Sequence, residues 1–175
     1  MSQYVIDPLH SDIEFNIKHL MISTVRGRFS SFTATMEAEA ADFSDLKVEF
    51  SADIDSIATG VADRDAHLKT VDFFDSAQWP KLTFVSTSIE RSEGGSYVLR
   101  GNMTIRDQTR PIELALVYNG SDTDPWGNLK HGFEMTGELS RKNFGLSFAA
   151  VSGGGNALVG DIVKLVIGVQ MTKVA

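Results

Sequence analysis

Arg64 and His67, set among Asp63, Asp65, Asp72 and the Phe73-Phe74 pair, form the densest group of chemistry-bearing side chains in this sequence. An arginine offers a planar fork of donors to carboxylate or phosphate oxygens. A histidine can exchange a proton, or donate one to an oxygen, near neutral pH. Arg64 beside Asp65 is expected to form an ion pair that locks the segment onto whatever supports it. His67 lies two positions after Asp65 and so faces a different side of a helix. It suits either a structural hydrogen bond or the oxygen of a quinone or phosphate.

A second group, His10 and His19 with Asp7, Asp12 and Glu14, raises metal ligation. The nine-residue histidine spacing matches no standard ligand pattern, and no site for a metal is assigned. His131 follows a loop and is expected to be exposed. The chain has no cysteine, which removes disulfides, thiolate ligands and cysteine nucleophiles. Ser152-Gly153-Gly154-Gly155 could cradle a phosphate only ahead of a helix. A β-rich run follows it, so an ordinary hairpin loop is expected. No G-x-S-x-G elbow occurs and no Ser-His-Asp set can be placed. No catalytic residue and no cofactor are assigned.

Any such site must be positioned by what 175 residues can build, which is expected to be one domain spanning 1–175. The formal charge is −7, from 16 Lys and Arg against 23 Asp and Glu. That balance disfavours nucleic acid and anionic membranes, and no run of basic residues overturns it. No window reaches the ~18 apolar residues of a membrane-spanning helix. The start of the chain has neither the basic region nor the apolar run of a signal peptide, so a cytoplasmic protein is expected.

Period-2 alternation dominates the elements. Ile13, Phe15 and Ile17 alternate with polar neighbours, as do Leu46, Val48, Phe50, Ala52 and Ile54. Further strands are predicted over 25–37, 81–90, 97–106, 112–119, 131–139 and 159–173. Pro111 is expected to delay pairing until after it. Eight or nine strands at hairpin spacing indicate an antiparallel barrel or sandwich. One helical excursion near 61–77 interrupts them, with Thr59 a candidate cap and Trp79-Pro80 its end. The inward phase carries Phe15, Phe50, Phe84, Leu99, Met103, Leu114, Phe133 and Met135. These residues either fill the core or line a cavity, for which methionine is well suited.

Several motifs in order resemble the YceI-like, lipocalin-like family of polyisoprenoid-binding proteins. They begin with Tyr4-x-Ile6-Asp7-x-x-His10-Ser11-x-Ile13-x-Phe15-x-Ile17-x-His19-Leu20 and Val25-Arg26-Gly27-Arg28-Phe29. Ile57-Ala58-Thr59-Gly60, Arg64-Asp65-Ala66-His67-Leu68, Asp72-Phe73-Phe74 and Trp79-Pro80-x-Leu82-Thr83-Phe84 follow. Arg141-x-x-Phe144-Gly145-Leu146 and Val159-Gly160-Asp161-x-Val163 complete the series. One departure is Asp107, where the family pattern has glycine after Met103-Thr104-Ile105-Arg106. A tolerated turn change is expected there.

The resemblance implies a mainly β fold: an extended antiparallel eight-stranded lipocalin-like β-barrel capped by the 61–77 segment. It also implies a homodimer and a long apolar cavity holding an isoprenoid or fatty-acyl lipid. Phe73 and Phe74 join the inward-facing residues as cavity candidates. His10, His19, Arg64 and His67, which fall in matched motifs, are the candidates for the rim and the lipid head group. The function expected is non-enzymatic binding, transport or storage of an amphiphilic lipid such as an isoprenoid quinone. The rivals are a haem or metal-binding barrel using His10, His19 or His67, and a lipid-modifying enzyme using His67.

Overall fold

Alternating apolar and polar residues give each strand one dry and one wet face, and a sheet of such strands can hide its dry face by closing on itself. The computed structural model, which describes residues 1–148 and 159–174, closes in this way. Its strands are β1 (Ser2–Ile6), β2 (Asp12–His19), β3 (Ser23–Phe29), β4 (Phe32–Ala38), β5 (Lys47–Asp53), β6 (Ile57–Ala58), β7 (Lys81–Arg91), β8 (Tyr97–Ile105), β9 (Gln108–Thr123), β10 (Leu129–Ser140) and β11 (Val159–Lys173). The ring runs β1–β4–β5–β7–β8–β9–β10–β11 and returns to β1, an eight-stranded antiparallel barrel as expected.

Three walls of the barrel are kinked rather than straight. β1 and β2 lie end to end along one edge of β11: Tyr4–Ile6 oppose Lys173–Met171, and Ile13 opposes Ile167. Between them a 3₁₀ turn, Pro8–His10, lifts the chain out of the ladder. Ser11 bridges the gap by donating to the Asp7 carbonyl at 2.7 Å and accepting from the Gln170 N–H at 3.1 Å. β3 and β4 are separated at Ser30 and Ser31, and β5 and β6 by a 3₁₀ turn, Ile54–Ser56. The sequence-predicted 25–37 strand is therefore two strands.

Pro111 lies inside β9 opposite Asn102, so pairing begins before it and not after. β10 joins β9 only from Leu114 onward, which leaves Pro111 on a locally free edge where a missing N–H costs nothing.

The single α-helix among the described residues, α1 (Ala62–Leu68), is shorter than the 61–77 segment predicted. Its N-cap is Val61, without a side-chain bond. Turns follow, closed by Phe73 N–H to the Thr70 carbonyl and Phe74 N–H to the Leu68 carbonyl. Asp75, at φ 49°, reverses the chain toward Trp79.

One end of the barrel is stoppered by its own loop. Residues 39–46 fold inward and carry Phe43, 2% exposed, at φ 61°. Its ring meets Tyr4, Tyr118, His131 and Phe133 edge-on at 4.8–5.5 Å between centroids. Tyr97 fixes the loop by donating to the Asp42 carbonyl at 2.6 Å, and the Asp45 carboxylate accepts from the Glu39 and Ala40 N–H groups.

Candidate functional site

Past the Phe43 stopper the lumen is open: a cavity of about 90 Å³ remains, measured for the centres of water-sized molecules. One water needs roughly 10–15 Å³ by that measure. Every strand except β6 contributes to its wall. On β11 the lining runs from Leu165 to Met171, a length of roughly 20 Å at 3.3 Å per residue. The cavity is therefore long, thin and apolar. Two glycines shape it. Gly27 lies under the end of the Phe15 ring and Gly101 under that of Phe84, where any Cβ would collide.

Of the sequence-nominated cavity residues, Phe15, Phe50, Phe84, Met103, Leu114 and Met135 line this space. Leu99 and Phe133 point inward but belong to the packed part of the core, at 0% and 1% exposure. Phe73 and Phe74 sit on the turns after α1. Phe74 meets Phe29 edge-on at 6.5 Å, and Phe73 packs against Phe148 at 5.1 Å.

The nominated rim residues do not share one rim. His10 and His19 flank β2 at opposite ends, roughly 25 Å apart along the strand. They cannot share an ion, and only one of them can stand at any single mouth. His10 contacts the Asp7 carboxylate through Nδ1 at 2.9 Å. His67 is half-exposed on α1, its Nε2 2.8 Å from Asp72 and its ring edge-on to Phe73 and Phe148.

Arg64 and Asp65 converge on Thr59 instead of on each other. Arg64 donates to the Thr59 hydroxyl and carbonyl, each at 2.7 Å. Asp65 accepts from the Thr59 N–H at 2.9 Å and from its hydroxyl at 2.5 Å. The expected ion pair is replaced because neighbours on a helix point apart, while a threonine preceding the helix reaches both. Arg106, at the β8–β9 turn, donates to the Phe73 carbonyl at 3.1 Å and ties this excursion to the barrel.

Three polar side chains, His131 and Arg141 buried and Asp7 half-buried, take structural roles that the sequence reading did not assign. His131 is 8% exposed, not at the surface, because it falls on the inward phase of β10 with Phe133 and Met135. Its Nδ1 is 2.8 Å from the Tyr118 hydroxyl, its Nε2 has no partner, and burial pushes its pKa below the usual 6.5. The position in the alternation was the available signal. Arg141, 4% exposed, donates to the carbonyls of Leu146, Phe148, Val159 and Gly160 at 2.7–3.2 Å. It thereby fastens both residues that flank 149–158. Asp7 accepts from Lys130 Nζ and the Leu9 N–H, which with His10 hold its carboxyl at about 2. The Ser152–Asn156 loop lies outside the described residues. Among those described, no three His, Asp or Glu side chains gather as metal ligands, and no helix is long and apolar enough to cross a membrane.

Residues 4–171 match the YceI-like domain family. A UPF0312 protein of Staphylococcus aureus is 35% identical over 165 residues, covering 94% of both chains. Among solved structures, the Campylobacter jejuni YceI protein superposes with a TM-score of 0.75 at 27% identity, over 90% of each chain. A polyisoprenoid-binding domain from Saccharophagus degradans, implicated in plant cell wall breakdown, superposes at 0.70 over 98% of each chain. At 10% identity that last likeness is one of fold.

Proposed function

This chain belongs to the YceI-like family, and on that premise we propose that its barrel takes up one slender apolar chain, isoprenoid or fatty-acyl, and carries or stores it without chemical change. The carrying observation is the cavity: some 90 Å³ of open space, walled by apolar side chains along the barrel. A narrow tube favours a linear or methyl-branched tail over a fused-ring ligand. Each buried methylene contributes about 0.8 kcal/mol, so about ten of them match the ~8 kcal/mol of micromolar binding. Met36, Met103, Met135 and Met171 line the space and can change rotamer to admit a thicker chain. The polyisoprenoid-binding neighbour of the same fold supports the same ligand class.

For the head group, His67 is the best placed of the nominated residues. It is half-exposed, oriented by Asp72, and set between two phenylalanine rings. Arg64 is committed to Thr59 and acts by holding α1 in place.

Native mass spectrometry of gently purified protein, followed by organic extraction, tests the reading. The expected result is an isoprenoid or fatty-acyl species near one per chain, absent from Ala34→Phe, which fills the tube. A bare polypeptide mass, still bare after incubation with quinones and polyprenyl lipids, overturns it.

A further inference from the structure

The tip joining β2 to β3 breaks the chemistry of tight turns. His19 pairs with Ser23, and the Ile22 N–H donates to the His19 carbonyl at 3.2 Å. Between them Leu20 and Met21 both have positive φ, 54° and 60°. Turns with two successive positive φ angles select Asn, Asp and Gly, because a Cβ is disfavoured in that conformation. Here the residues are large and apolar, and they are not hidden: Met21 is 53% exposed and Ile22 81%. Strained backbone and apolar surface in water both act against folding, so the fold gains nothing from this tip.

The charge around it is just as uneven. From Phe15 to Met36 the chain has no Asp or Glu, and it carries Lys18, Arg26 and Arg28. The register sets Lys18 opposite Thr24, Asn16 opposite Arg26 and Glu14 opposite Arg28. All three cations therefore share the outer face, opposite the cavity-facing phase of Ile13, Phe15 and Phe29. Lys18 stays on that face, 3.3 Å from the Thr24 hydroxyl. The carboxylates of the helical excursion come after β6, which meets β3 only at Arg28 and Phe29, the base of the hairpin. The overall charge of −7 conceals this local positive surface.

We infer that the Leu20–Ile22 tip inserts into a lipid bilayer surface whose anionic head groups are met by Lys18 and Arg26, the two cations nearest the tip, since Arg28 is opposed by Glu14 at the base of the hairpin. Apolar side chains at the end of a basic hairpin suit an interface with hydrocarbon beyond and anionic phosphates at its edge. The same two strands supply Ile13, Phe15 and Phe29 to the cavity wall. Docking by the tip points the two strands that carry that wall at the membrane from which an apolar chain would be taken. The inference goes beyond the carrier reading and does not depend on which chain fills the tube.

Vesicle flotation of the full chain tests it, with phosphatidylcholine vesicles containing phosphatidylglycerol compared with phosphatidylcholine alone. The wild type is expected to float with the phosphatidylglycerol vesicles. The triple variant Leu20→Asn, Met21→Gly, Ile22→Thr restores turn-forming residues and removes the apolar tip. It is expected to keep or raise the thermal midpoint and to lose flotation. Lys18→Gln and Arg26→Gln are each expected to weaken binding roughly fivefold at low salt, a difference that shrinks as salt screens the surface. A wild type that stays at the bottom of the gradient overturns the inference. So does a triple variant that floats undiminished, or one that converts a dimer to a monomer in sedimentation velocity, which would make the tip a self-association surface. Ligand occupancy by native mass spectrometry reads the carrier proposal separately, so the two can fail independently.

Discussion

The Phe15 ring lies over Gly27 on the neighbouring strand, so close that a Cβ on the glycine would fall 2.7 Å from Cε2 and nearer still to Cζ. The glycine is what lets Phe15 fold back against the wall instead of standing in the lumen.

Gly27→Ala is therefore expected to push the ring into the tube. Overpacking of this kind costs about 1–3 kcal/mol, read as a lower urea midpoint. Bound ligand should fall in the same sample, and adding Phe15→Ala should restore occupancy.

Asp7 and Lys130 join the β1–β2 break to β10 with a 2.9 Å ion pair across 123 positions of sequence. The Lys130 and His10 hydrogen bonds lower the Asp7 carboxyl from 3.8 to about 2. A lowered carboxylate stabilises fully above its unfolded value and loses that contribution as pH falls toward its folded value. Asp7→Asn is expected to cost about 2 kcal/mol at neutral pH. In urea titrations the gap between variant and wild type should close between about pH 4 and about pH 2.

His131 predicts a second acid-sensitive window. It faces Tyr4, Phe43 and Tyr118, with Lys173 the charged group that adds to burial in lowering its pKa. Its folded pKa lies below the unfolded 6.5, so the unfolded chain takes up the proton first. Stability should fall as pH drops below about 6.5. His131→Gln should show a shallower slope there in the thermal midpoint measured against pH.

Arg141 closes four backbone carbonyls that have no other described donor in common. Arg141→Met is expected to cost about 3 kcal/mol, since buried carbonyls are left without donors. Arg141→Lys should recover little, because an ammonium cannot reproduce the fork. Chemical denaturation of the three proteins decides between them.

The alternation of residues 46–54, 97–105 and 159–173 was enough to indicate a β-barrel or sandwich, and the ordered motifs from Tyr4 to Val163 indicated the barrel. Alternation says which face of a strand is dry, so Phe15, Phe50, Phe84, Met103, Leu114 and Met135 were legible as inward. Leu99 and Phe133 share that inward phase, yet they lie in the packed part of the core. Height along the barrel depends on register and stagger, which a period of two does not encode. The same limit hid the inward turn of Phe43, where a loop with no alternation at all becomes the stopper. It hid the burial of His131, and it placed His10 and His19 on one rim when a whole strand separates them. The ion pair of Asp7 with Lys130 and the Thr59 clasp on Arg64 and Asp65 are decided by which atoms arrive within hydrogen-bond reach. Residue type and spacing determined the fold and the apolar character of the lumen. The tertiary structure alone decided where the lumen ends, because that depends on side chains meeting across the barrel from strands far apart in the chain.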